Sequence, residues 1–248
     1  MKIALCFLTY RNLSQPSLWN KIINNNKDKL NVYIHNKNDF IDDEYKLHNY
    51  CIKNRVETRY GTKSLVAATL RLFKEAFLNK ENFFFILLSD KCIPLHNFEY
   101  IYKKIFEMNS NIIYAFKNPI PNRYNMINDK NFIEESIFMK ENQFFLLDRK
   151  TTDFFINNDF LYMYKDSAFA VDEHYFGNIC NKFNIPFINK KITHVNWSQK
   201  SDNKADRPKP KTYQFLTNEM IENLVPDYLF LRKISPLCKV PDYFDTVQ

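Results

Sequence analysis

The chain has 248 residues, 45% of them hydrophobic, with 24 Phe and 15 Tyr, a composition that excludes disorder and supplies one generous core. Its formal charge of +7 invites a nucleic-acid partner, but the lysines are scattered among acids except in a basic segment over 190–211. Such a segment suits a phosphate-bearing small molecule, and no nucleic acid is expected as a partner. The five cysteines (Cys6, Cys51, Cys92, Cys180 and Cys238) form no disulfide or metal pattern, and no apolar run has the length to cross a bilayer.

In chain order, residues 2–8 read as a first strand, since their apolar run is short and lacks a small-residue cleavage site for a leader. A helix over 17–24 gathers Leu18, Trp19, Ile22 and Ile23 on one side, and a second strand covers 30–34. After a polar stretch comes Arg59-Tyr60-Gly61-Thr62-Lys63-Ser64, with Ser64 placed to cap a helix over 65–78 whose apolar stripe can lie on a sheet. The unbroken apolar run from Phe83 to Leu88 predicts a strand buried on both faces. It ends in Ser89-Asp90-Lys91, where open α/β sheets bind ligands; a turn capping the next helix explains the same residues. A helix over 97–109, a strand over 111–116 and a two-proline loop at 119–121 complete a β-α-β-α-β-α-β order with right-handed crossovers.

From Arg123 the alternation loosens. A strand is expected over 144–147, a helix over 149–157, and a helix from at or near Glu173 towards Phe183. A strand-like segment over 193–198 contains Trp197; a loop covers 201–210, a helix 218–224, and the apolar run 228–234 ends in Arg232-Lys233. With no repeat and no linker, residues 1–248 are expected to form one domain of α/β class. Gly61 and Gly177 are its only glycines, so each needs a local reason.

The strands lack a glycine-rich phosphate loop, which argues against a dinucleotide or P-loop site, and Gly-x-Ser-x-Gly is absent around Ser89. Asp42-Asp43 has no intervening residue and Asp90 no partner, so no catalytic metal is expected. The remaining candidate is Glu173, in a polar Asp172-Glu173-His174 triplet between apolar flanks. Such flanks raise a carboxyl pKa and fit it to act as a general base; helix-dipole preference for acids accounts for the same pair. Arg232 and Lys233, with Lys209 and Lys211, form the cationic counterpart, able to hold a diphosphate or simply to solvate the end of an element. Trp197, Tyr124 and Phe144 are candidates to stack on sugar faces, and equally fit a core.

At these residues the chain resembles the core-2/I-branching β-1,6-N-acetylglucosaminyltransferase family, which includes the peptide O-xylosyltransferases and related plant proteins. The resemblance rests on short stretches in order: 2–9 with 16–19; Tyr33-Ile34-His35; 60–68; 85–95; Arg123-Tyr124 with Met126; Gln143-Phe144-Phe145 with Arg149; 172–175; 194–198; Pro210 with Thr212; and 230–233. It implies a GT-A-like fold, a central mostly parallel sheet flanked by helices, and an inverting transfer from a UDP-sugar without a divalent metal or other cofactor. N-acetylglucosamine or xylose would pass to a hydroxyl of a glycan or glycoprotein. Glu173 would be the base and Lys233 the diphosphate contact, assisted by Arg232, Lys211 or Lys209. Thr9, His35, Gly61, Ser64, Ser89 and Asp90 would line the nucleotide and sugar side, and Asp172, Arg123, Tyr124 and Trp197 the acceptor side. The chain departs from the family at Tyr60, where Trp is common, at Lys140–Asn142, where Trp and Gly-Ser precede Gln143, at Asn196 and at Lys209. Lacking the anchor and disulfides of secreted members, it is expected to be cytoplasmic in a microbe or a virus-infected host. A catalytically silent carbohydrate-binding protein of the same fold is the alternative.

Overall fold

The computed structural model describes residues 1–118, 120, 122–197 and 209–241; most of the loops expected at 119–121 and 201–210 lies outside them. The first half contains β1 (Lys2–Thr9), α1 (Pro16–Asn25), β2 (Leu30–Asn36), α2 (Lys63–Phe77), β3 (Asn82–Ser89), β4 (Cys92–Pro94), α3 (Phe98–Met108), β5 (Asn111–Ile112) and β6 (Ala115–Lys117). Then follow β7 (Met139–Glu141), β8 (Leu146–Asp148), α4 (Arg149–Asn157), α5 (Phe176–Lys182) and β9 (Phe187–Ile188). The last described stretch adds β10 (Thr193–Val195), β11 (Tyr213–Phe215), α6 (Asn218–Glu222), β12 (Phe230–Arg232) and β13 (Ile234–Lys239).

The main sheet has the order β2-β1-β3-β8-β5-β9. β1 pairs in parallel with β2 and β3, while β8 runs antiparallel to both β3 and β5. The sheet is therefore mixed, with β8 as its reversed strand. Period-two alternation explains the unbroken apolar runs. Ile3, Leu5 and Phe7 with Phe84, Ile86 and Leu88 pack with Trp19, Ile22, Phe98 and Ile101 of α1 and α3. Ala4 and Cys6 with Phe85 and Leu87 belong to the cluster of Leu72, Phe73, Phe155 and Phe176. Each such large side chain contributes roughly 1.5–3 kcal/mol when buried. The layered result is the GT-A-like α/β architecture the resemblance implied.

Four local expectations are corrected. The strand expected over 111–116 is two short ones, because the Asn189 side chain takes both backbone groups of Ala115. The strand expected at 144–147 is β8, at 146–148. Helix α2 begins at Lys63, its cap supplied by Thr62, whose hydroxyl accepts from Ser64 N. The Ser64 hydroxyl instead bonds back to Arg59 N at 2.8 Å and to Thr62 Oγ1 at 2.7 Å, knotting the turn. Glu173 is not on an α-helix: residues 171–173 form a single 3₁₀ turn, and α5 starts only at Phe176. Its start is fixed from outside, since the Glu141 carboxylate accepts from the backbone N–H groups of Phe176 and Gly177. A Cβ on Gly177 would run into that carboxylate, which gives this glycine its reason. Among the described residues no helix is long and apolar enough to cross a membrane.

Candidate active site

Two walls face the carboxyl ends of the central strands. The first is cationic. β12 lies between β10 and β4, and β4 follows β3 directly, so Arg232 sits opposite Cys92 just past the end of β3. Arg232 Nε donates to Ser89 Oγ at 3.1 Å, and its guanidinium lies over the Phe144 ring at 5.1 Å. Burial, then the charges of Arg232 and Lys91 and, less, Lys209, pull the Lys233 ammonium below its usual pKa. Asp90 stands among these cations. Burial raises its pKa, while Lys91, Arg232, Lys233 and the backbone N–H of Tyr10 oppose the rise. Like-charged side chains crowded around one carboxylate leave surplus positive charge at this end of the sheet.

The second wall is acidic. Gly61, at φ +73°, accepts through its carbonyl from Ala170 N at 2.5 Å, and a Cβ there would collide with the Phe169 ring. Arg123 Nη1 donates to Phe169 O at 2.6 Å. Ala170 O accepts in turn from Glu173 N at 3.1 Å and lies 2.9 Å from His174 Nδ1. His174 is fully buried against Phe138, and burial pushes its pKa down to about 4, so the ring is neutral. Burial and the charge of Glu173 push Asp172 up to about 7. Glu173 itself is about a third exposed, its Oε2 3.0 Å from Lys140 Nζ.

The walls are joined by residues 140–144. Lys140 meets Glu173 at one end and Phe144 lies under Arg232 at the other, a chain span of at most about 14 Å. A separate cleft of about 570 Å³ beyond β2, lined by Asn36, Asp39, His48 and Arg55 among others, includes neither wall. Among the described residues no three His, Cys, Asp or Glu side chains converge as metal ligands would.

A model of the core-2/I-branching enzyme family matches residues 3–225. The chain belongs to that family. Glycosyltransferase BC10 of Oryza sativa subsp. japonica is 23% identical over 164 residues, 64% of this chain and 41% of that protein. The chain thus spans about two fifths of that curated relative. Among solved structures, the apo form of the bifunctional glycosyltransferase WbbM is similar at TM-score 0.35 and 12% identity, over 93% of this chain and 45% of that one. A 4-diphosphocytidyl-2C-methyl-D-erythritol synthase from Anaerococcus prevotii gives TM-score 0.37 at 12% identity, over 75% and 86%. Likeness at that level is no guide to chemistry.

For this family member, the sequence-derived residues divide. Arg232, Lys233, Lys209, Ser89 and Asp90 come together on the cationic wall, and Gly61, Arg123, Asp172 and Glu173 on the acidic one. Lys211 lies beside this wall: its ammonium is 5.1 Å from the ring centre of Tyr213, whose N–H donates to Lys233 O at 2.8 Å, and its own N–H bonds to Asn196 O. His35 is not open to a nucleotide, being 1% exposed with Nε2 accepting from Val56 N at 3.0 Å. Ser64 is used in its own turn. Tyr124 is a core residue, its hydroxyl donating to Ile133 O at 2.6 Å within the cluster under α2. Thr9 ends β1, its hydroxyl buried and without a partner among the described residues. Trp197 is 54% exposed, as a stacking platform requires. Glu173 does not have the apolar surroundings expected of it; its neighbour is a lysine. Lys91 and Lys140 were missed. Lys91 had a signal, as it follows Ser89-Asp90 directly, whereas nothing local ties Lys140 to a residue 33 positions later.

Proposed function

We propose that the chain transfers a sugar, N-acetylglucosamine or xylose, from a UDP-sugar to a hydroxyl of a glycan or protein, inverting the anomeric centre without a divalent metal. The observation that carries this reading is the pair of walls joined through residues 140–144, with a partly exposed carboxylate on one and clustered cations on the other. Inversion needs that separation, because the acceptor oxygen attacks from the face opposite the departing diphosphate. Glu173 takes the hydroxyl proton through Oε1, its Oε2 being held by Lys140. The new bond forms from the acceptor oxygen to the anomeric carbon as the bond to UDP breaks. Lys233, Arg232 and Lys91 meet the charge that develops on the diphosphate. Family membership supports the transferase class, and the exposed Trp197 offers an apolar ring for a sugar.

The test is turnover of UDP-N-acetylglucosamine, UDP-xylose, UDP-glucose and UDP-galactose, with Glu173→Gln as the diagnostic variant. That change keeps the shape and removes the base, and we expect kcat to fall about 100-fold or more while donor affinity by calorimetry hardly moves. Near-normal turnover of the variant would refute the assignment.

A further inference from the structure

Three consecutive residues of β7 hold the segment that carries Glu173. Met139 exchanges hydrogen bonds of 2.8 Å with the Asn178 side chain in both directions, its N–H donating to Oδ1 and its carbonyl accepting from Nδ2. Glu141, 1% exposed, takes up the N–H groups that open α5. Between them Lys140, whose side chain leaves β7 on the face opposite Glu141, reaches Glu173 Oε2 at 3.0 Å. Met139 is fastened through its backbone to the Asn178 side chain, and Glu141 through its side chain to the backbone of α5. The ion pair of Lys140 is with the Glu173 carboxylate, so replacing that side chain keeps the Met139 and Glu141 contacts that dock the strand and frees a side chain with three rotatable bonds.

We propose that Lys140 is a positioning residue for Glu173, fixing Oε2 so that Oε1 alone is presented to the acceptor hydroxyl. The proposal rests on the reading of Glu173 as the proton acceptor. The pair is only a quarter to a third exposed, 25% at Lys140 and 32% at Glu173, so it is less screened than a surface ion pair. Asp172 and Arg123, the other charged groups at this turn, contribute to the field but are not seen bonding the Glu173 carboxylate. A misplaced general base loses rate and not substrate affinity, because the near-attack geometry is what has gone.

The experiment compares Lys140→Met, Lys140→Arg, Glu173→Gln and the Lys140→Met/Glu173→Gln double variant in the full chain. Turnover is followed with whichever of UDP-N-acetylglucosamine and UDP-xylose the wild type consumes. Lys140→Met is expected to lower kcat by about 10- to 100-fold with donor KM within about twofold. Lys140→Arg, which keeps the charge and a donor, should recover most of the loss, and Lys140→Met should add nothing once Glu173 is already Gln. Normal kcat in Lys140→Met beside a dead Glu173→Gln overturns the positioning role alone. So does an equal further loss in the double variant, or a melting temperature that falls in step with activity in both Lys140 variants. Wild-type turnover in Glu173→Gln overturns the role together with the reading beneath it.

Discussion

Glu141 is a carboxylate enclosed at the start of α5 with no ion-pair partner among the described residues, and burial pushes its pKa up to about 8 despite the backbone N–H groups of Gly177, Phe176 and Tyr175. In the unfolded chain a glutamate titrates near 4.3, so between about pH 4.3 and 8 the folded state binds the extra proton. Its stabilising contribution is complete below that window and is lost as pH rises through 8. The slope is about 1.4 kcal/mol per pH unit, which integrates to about 2 kcal/mol between pH 6 and pH 8. Asp172, raised to about 7, acts in the same direction but is spent by neutrality. His174, lowered to about 4, acts in the opposite direction and only below about pH 6.5. Glu141→Gln, a neutral mimic of the protonated acid, should therefore gain about 2 kcal/mol relative to the wild type from pH 6 to pH 8, read as urea midpoints at both pH values. A difference between the two proteins that stays constant across that range would refute the reasoning.

Gly61→Ala places a Cβ at φ +73° and against the Phe169 ring, and should cost about 1–3 kcal/mol by denaturant titration. Lys233→Ala should weaken UDP binding at least about tenfold by calorimetry, since a partly buried cation contact to phosphate is lost; unchanged affinity would count against the cationic wall. Tyr124→Phe deletes a hydroxyl that serves Ile133 O and Lys130 O, so stability should drop by about 1 kcal/mol while acceptor KM stays put. EDTA should leave turnover unaffected, and strict dependence on added Mn²⁺ would show that the clustered cations are not the diphosphate's counter-charge.

How much of this was legible follows from range. The run at 83–88 announced β3 because a strand covered on both faces must be apolar at every position, and Ile3 to Phe7 read the same way in β1. The helices α3 and α4, expected over 97–109 and 149–157, were equally readable, being decided within a turn or two of chain. The reversal of β8 was not, since alternation shows that a segment is a strand but not which way it enters a sheet. Glu173 and Lys233 were singled out from the residues and then matched by the resemblance, yet the surroundings of Glu173 were misjudged. Flanking residues at 168–171 and 175–176 suggested an apolar pocket for Glu173, while the neighbour that counts comes from β7. His35 and Tyr124 fit a site as well as a core on paper; only their partners, Val56 N and Ile133 O, decide for the core.

Arg232 and Lys233 lie past residue 225, where the family match stops, yet β12 is slotted between β4 and β10. A fragment trimmed to the recognised stretch would retain the main sheet, Lys91, Lys140 and Glu173 but lose Arg232 and Lys233, the pair proposed to meet the leaving group. It would also bare the edge of β4, an invitation to aggregate. Boundaries drawn from recognition alone would thus cut through the three-stranded sheet that carries Arg232, and the last strands must travel with any piece used to test the proposed activity.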